Sequence, residues 1–250
     1  MAGNPKHGER LITGLQPVRE ALRAHGPALG RVVVDERPLP RLDAIARYAV
    51  AQGASHVERL AKRDLDVLAQ GETHQGVIAW GPPLRLVPLE PLLHEPGLVA
   101  LAIDEIQDPQ NFGALVRSAV GLLHAPVIWG EHSSAPLSPA TFRASAGAVE
   151  HAVLCRVPSL RGSLQRASEL GIQVVGLDAS ASLSLADVDL RGPTVLVVGS
   201  EHKGMSRGVR RSCSALARLA DPSVINSLNA SVAAAVALYE CWKQRRVPGT

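Results

Sequence analysis

The sequence predicts an α/β protein in two parts: a C-terminal parallel sheet with helices on both faces, and a small N-terminal α/β domain ahead of it. Three observations predict this. Strand-like and helix-like segments alternate along nearly the whole chain, the order that parallel strands with crossover helices produce. Several strand candidates (LVALAID, PVIWG, TVLVVG) are apolar almost throughout, as strands covered on both faces are. One stretch, GPPLRLVPLEPLLHEPG from Gly81 to Gly97, carries five prolines and interrupts the alternation.

In chain order, Thr13 is placed to cap a helix with Pro17 in or near its first turn; it runs through VREALRAHG and stops at Gly26. RVVVD at Arg31–Asp35 is a strand, RLDAIARYAVAQG an amphipathic helix closed by Gly53, and SHVER, AKRDLDVLAQG and GVIAW follow as strand, helix and strand. About 75 residues of this kind are enough to fold alone. The proline-dense stretch reads as an extended, semi-rigid connection. The expected domains are therefore 1–82, a linker at 83–97, and 98–250. Beyond the linker, LVALAID is a strand and PQNFGALVRSAVGLL a helix with Asp108 as N-cap and Pro109 at its first position. PVIWG, HAVLCRV, IQVVGLD and TVLVVG are further strands. SPATFRASAGA, SLRGSLQRASELG and a long segment from about Asn226 to Arg245 are helices.

Composition excludes several classes of function. Aromatic residues make up 3% of the chain, too few for rows of stacked rings on a single strand. The net charge is +3, but Lys203, Arg207, Arg210, Arg211 and Arg218 follow one another with no acid between them, and Lys243, Arg245 and Arg246 form a second cluster. Such clusters suit a phosphate backbone, and equally a solvated helix face. Cys155, Cys213 and Cys241 stand far apart in no metal-ligand spacing, so they read as incidental thiols and no metal is expected. The first ten residues hold no apolar signal core, and no apolar run approaches membrane-spanning length, so cytoplasm is the expected location, with no membrane contact.

Ligands of parallel α/β sheets gather at the C-terminal ends of the strands. Three such places hold candidate chemistry: DEIQDPQNFGALVRSA (Asp104–Ala119), VLVVGSEHKGMS (Val195–Ser206), and NSLNASVAAAV (Asn226–Val236). No G-x-G-x-x-G follows any strand, and GSEHKGMS lacks the spacing of a phosphate-binding loop, which argues against dehydrogenases, nucleotide triphosphatases and methyltransferases of the common Rossmann type. Asn111 and Arg117 are six apart, about 240° around an ideal helix, and share a face only if Asn111 belongs to the entry turn. Asp104 and Glu105 are adjacent, so as strand residues they point to opposite faces.

These segments resemble the SpoU (TrmH-like) branch of the SPOUT RNA 2′-O-ribose methyltransferases. DPQNFGALVRSA is similar to the family's first motif, VLVVGSEHKGM to its second and SLNASVAAAV to its third, in the right order; GLQPVREAL and THQGVIA resemble the small substrate-binding domain of bacterial ribosomal RNA members. The group most resembled methylates a guanosine ribose in large-subunit rRNA. The resemblance implies a deep trefoil knot, S-adenosyl-L-methionine as methyl donor, RNA as substrate, and a homodimer whose interface completes the site. It implies donor contacts around Gly199, Leu219 and Leu228. It further implies a catalytic and RNA-positioning set of Asn111, Arg117, Glu201, Ser227 and Asn229. Where the third motif's approach usually reads Ile-Pro-Met and then glycine, this chain has Leu219, Ala220, Asp221, Pro222 and Ser223. That departure suggests one rival to the guanosine enzyme, a non-catalytic RNA-binding relative; a second, a tRNA or antibiotic-resistance rRNA adenosine methyltransferase, stays open because the sequence does not fix the nucleotide.

Overall fold

The computed structural model describes residues 9–131, 134–135, 137–201, 203–220 and 228–246. They fall into two compact units. The described residues up to Arg85 together with Leu137–His151 form the first, and the remainder form the second.

In the first unit, β1 (Arg10–Thr13), β2 (Arg31–Asp35), β3 (Val57–Leu60) and β4 (Val77–Gly81) make a sheet of order β1-β4-β2-β3. β4 runs antiparallel to β1 and β2, while β2 and β3 are parallel. Side chains alternate across each strand, so Val32 and Val34 join the cluster of Val18, Leu22, Leu42 and Ile45 from α1 (Leu15–His25) and α2 (Pro40–Ala51). Val33, Ile78 and Trp80 face α3 (Lys62–Leu68) through Leu65. Thr13 does not cap α1 as the sequence predicts. It is the last, fully buried residue of β1, and Gly14 at φ 98° makes the turn into the helix with no side-chain cap. A residue without Cβ takes that backbone conformation at little cost.

The helix predicted at 138–148 is shorter, α6 (Pro139–Ala144), and clusters with the first unit although it lies within the 98–250 segment. A buried charge group ties this stretch in. Glu150 accepts from Arg10 Nη1 at 2.8 Å and also from its Nη2, with His25 Nε2 at 2.9 Å, and the Arg10 guanidinium lies over the Phe142 ring. Burial alone would raise the Glu150 pKa, but the bonds from His25 and Arg10 outweigh it and hold the carboxyl below its ordinary 4.5. The group thus stabilises the fold above the unfolded-state pKa, and that contribution is lost as pH falls through the depressed folded value. Glu150→Ala is expected to cost roughly 3–5 kcal/mol in urea unfolding at pH 7, because Arg10 is left buried without its partner. Its stability should fall less than wild type's between pH 5 and pH 3; equal acid sensitivity in both proteins would count against this reading.

In the second unit, β5 (Val99–Ile103), β6 (Val127–Gly130), β7 (Leu154–Val157), β8 (Gln173–Leu177), β9 (Leu183–Ser184), β10 (Thr194–Val198) and β11 (Ala215–Arg218) form a parallel sheet of order β7-β6-β5-β10-β8-β11-β9. β5 and β10 are buried along their whole length, which is why they read as unbroken apolar runs. One face of the sheet, with Ala100, Ala102, Val195 and Val197, packs on Leu160 and Leu164 of α7 (Leu160–Glu169). On the other lie α5 (Pro109–Leu123) and α9 (Ala230–Arg246), which pack on each other. There Phe112 meets Trp129 edge to face, with centroids 5.5 Å apart.

The proline-dense stretch is not extended throughout. It contains α4 (Leu89–Leu93), with Leu92 and Leu93 buried in the sheet's core. Pro91 is tolerated because it falls in the first turn, where backbone N–H groups have no helical partner anyway. β11, which the sequence reading missed, is ALAR, poor in the branched and aromatic residues that mark strands.

Candidate active site

From β5 the strand order diverges: β6 and β7 lie on one side, β10 and β8 on the other. A crevice outside the strands' C-terminal ends is expected at such a switch point. Both central strands end there in tightly held loops. Asp104, buried just past β5, accepts from the Ser206 backbone N–H at 2.7 Å and so pins the far end of the loop that leaves β10. That loop closes on itself through Ser200 and Gly204, whose backbones exchange hydrogen bonds at 2.8 and 3.1 Å. Gly199 lies against it so closely that a Cβ would sit 2.2 Å from backbone atoms of Gly204 and Met205.

Asp108 caps α5 by accepting from the Gln110 N–H at 3.0 Å, with Pro109 first in the helix, so Asn111 stands in the first turn. Asn229 stands just before α9 and caps it: its Oδ1 accepts from the Ser231 N–H at 2.9 Å and from the Ser231 hydroxyl at 2.6 Å. Its Nδ2 remains to donate to Asn111 Oδ1 at 3.1 Å and to Glu201 Oε1. Asn111 Nδ2 donates to the same Glu201 oxygen at 2.8 Å. Three predicted residues from three separate motifs thus form one hydrogen-bonded group. Two amides fix one carboxylate oxygen of Glu201, and its other oxygen can still accept.

Beside this group runs a cleft of ≈ 530 Å³ lined by Gly199, Glu201, Lys203, Met205 and Leu228. It adjoins a smaller pocket that is apolar along Leu177, Ala217, Leu219, Ala220 and Leu228. Gly199, Leu219 and Leu228, the predicted donor contacts, therefore line adjoining spaces. Arg117 does not join the amide–carboxylate group. Asn111 is already helical, so six residues carry Arg117 about 240° away around α5, where it is exposed and has no hydrogen-bond or ion-pair partner among the described residues. Ser227 and the Asp221–Ser223 departure lie outside the described residues.

Asp178, at the end of β8, lines both spaces and was missed. The signal available was an acid ending the apolar strand IQVVGLD. Its Oδ1 accepts from the Ser180 N–H at 2.8 Å and hydroxyl at 2.6 Å, and its Oδ2 from Arg210 Nε at 2.8 Å. Burial pushes its pKa up, but the bonds from Ser180 and Arg210 outweigh it, and the carboxyl stays below the usual aspartate range. Cys213, between Met205 and α8 (Arg207–Arg211), and the buried Cys155 and Cys241 have thiols raised by burial to about 11, which leaves little thiolate for chemistry.

Comparison with known proteins agrees with this arrangement. The pattern of the SpoU rRNA methylase family matches residues 98–239, and that of the RNA 2′-O ribose methyltransferase substrate-binding domain matches residues 11–86. The chain is 37% identical over 256 residues to an uncharacterized tRNA/rRNA methyltransferase of Mycolicibacterium smegmatis, covering 98% of this chain and 80% of that protein. Among solved structures, the SpoU methyltransferase AviRb of Streptomyces viridochromogenes superposes with a TM-score of 0.78 at 26% identity, over 95% of this chain and 90% of that one. AviRb in complex with the cofactor AdoMet shares the fold at a TM-score of 0.76 and 24% identity, over 95% and 91% of the two chains. With its catalytic-domain pattern and its substrate-binding pattern both matched, and its sheet shared with AviRb, the chain belongs to the SpoU family of RNA 2′-O-ribose methyltransferases.

Proposed function

We propose that this protein transfers a methyl group from S-adenosyl-L-methionine to the 2′-oxygen of a guanosine ribose in large-subunit rRNA, as a cytoplasmic homodimer. The first unit presents the RNA, and the second carries the transfer and the trefoil knot. The observation that carries the reading is the bonded group of Asn111, Glu201 and Asn229, whose Glu201 lines the cleft. The cleft fits the donor: an apolar pocket suits its purine, and Gly199, which lines the cleft, lets the loop after β10 fold tightly against it because it carries no Cβ.

The donor supplies a methyl on a sulfonium, already activated toward a nucleophile. The 2′-oxygen forms the new C–O bond as the methyl–sulfur bond breaks, and the hydroxyl proton leaves to the open oxygen of Glu201 or to water. A ribose hydroxyl is a poor nucleophile, so alignment supplies most of the acceleration; well-held reactants reach effective molarities on the order of 10⁵ M or more. Arg117 cannot act as a simple base, because guanidinium stays protonated. It orients the hydroxyl and stabilises the charge developing on oxygen.

Its position away from Asn111 supports action on the site of a second copy. So does α9, where Val232, Val236 and Tyr239 are 48%, 43% and 51% exposed at the i, i+4, i+7 spacing of one helix face, although Ala234, Ala237 and Leu238 of the same helix are buried. A partner covering that stripe removes a contiguous apolar face from water.

Ribose-methylation mapping of total RNA from cells with and without the protein tests the substrate. Loss of one 2′-O-methylguanosine in large-subunit rRNA is expected. Loss at a tRNA position or a ribosomal adenosine would reassign the target, and an unchanged map with no donor binding in calorimetry would favour a non-catalytic RNA-binding protein.

A further inference from the structure

We propose that Asp178 and Ser180 read the ribose hydroxyls of the methyl donor's own nucleoside, a proposal that rests on the donor reading above. Asp178 stands where the apolar pocket that suits the purine adjoins the cleft that Glu201 lines, and it lines both. A nucleoside with its base in the first and its sulfur toward the second carries its ribose past this point.

The hydrogen-bond inventory shows what the pair can take. Oδ1 of Asp178 already accepts from the Ser180 N–H and from its hydroxyl. Oδ2 accepts from Arg210 Nε. With about two acceptor sites on each carboxylate oxygen, Oδ1 is filled and Oδ2 has one left. The Ser180 hydroxyl spends its proton on Asp178, so its oxygen is left to accept. Two acceptors, held two residues apart by a common turn, match two donors on neighbouring carbons, which is what a ribose cis-diol presents.

The alternative partner on the same molecule is its cationic sulfonium or ammonium. The ion pair with Arg210 argues against that, because a neighbouring guanidinium cancels most of the attraction a free carboxylate would exert. A neutral hydroxyl loses nothing by that cancellation. It gains from an acceptor whose geometry three donors have fixed, with the Asp178 side chain only 17% exposed.

Calorimetry with S-adenosylhomocysteine and its 2′-deoxy and 3′-deoxy analogues tests this on the full-length protein. Wild type is expected to bind the parent roughly tenfold more tightly than either analogue, since hydrogen bonds to charged groups are worth about that in affinity. Asp178→Asn should bind more weakly and lose the discrimination against one analogue. Ser180→Ala, at an exposed position with little effect on folding, should lose it against the other. If both variants keep the full tenfold discrimination, or weaken all three ligands equally, the residues only hold the loop and the proposal fails. If wild type binds none of the three, the donor reading itself falls and takes this one with it; binding of the parent without discrimination defeats this proposal alone.

Discussion

An alanine at position 199 is expected to cut methyl transfer by roughly a hundredfold or more, the order of loss that follows an ångström-scale misplacement of reacting groups. The added Cβ would lie 2.2 Å from the Gly204 carbonyl carbon and the Met205 nitrogen. Those are backbone atoms, so no side chain can swing aside. The loop is also held from both ends, by the Ser200–Gly204 pair and by the Asp104 carboxylate on the Ser206 N–H. The whole turn must shift, and Glu201 moves with it. β10 itself is paired along its length with β5 and β8, so helix and strand content should survive. Circular dichroism close to wild type beside a collapse in S-adenosylhomocysteine affinity is the expected pair of results. Affinity within threefold of wild type would show that the backbone approach at Gly199 does not shape the donor site.

The second large effect concerns Arg117. Arg117→Ala should lower kcat about 10²–10³-fold, the usual cost of removing one group that stabilises developing charge. Donor affinity should stay unchanged, because Arg117 touches neither the cleft nor the amide–carboxylate group. Arg117→Lys should keep part of the activity, since a cation remains although the planar fork is lost. Equal loss of turnover and donor binding would defeat the orienting role. Mixing the Arg117→Ala and Gly199→Ala proteins separates the two places where the arginine can act. If it serves a second copy, random assortment restores roughly a quarter of the sites, each with an intact pocket from one subunit and an arginine from the other. If it serves its own pocket, the mixture stays as inactive as its components.

Much of the fold was legible because the central strands are buried on both sides and so carry no polar alternation. LVALAID and TVLVVG are short apolar runs bounded by turn residues, and that length and flanking mark them as strands. What escaped was decided by tertiary contacts. RLIT is too short to show a period, and it becomes β1 only by pairing with β4. α4 was hidden by the prolines that its first turn accommodates. The membership of Leu137–His151 in the first unit follows from Glu150 meeting Arg10 and His25, more than a hundred residues earlier, which no local pattern records. At the site, spacing alone separated Arg117 from Asn111. Bringing Asn111, Glu201 and Asn229 together needed the family resemblance, because each one alone reads as a cap or a turn residue. Asp178 belongs to no motif, and only its position at a strand end distinguished it.

The excursion of Leu137–His151 into the first unit has a practical consequence for anyone recombining these modules. The backbone crosses between the two bodies three times, not once. Shuffling the front half at a single seam near residue 85 would strand Phe142, Val149 and Glu150 without the residues that shelter and neutralise them. A chimera that respects the architecture must be cut at all three crossings and carry the later insert along with the unit it belongs to.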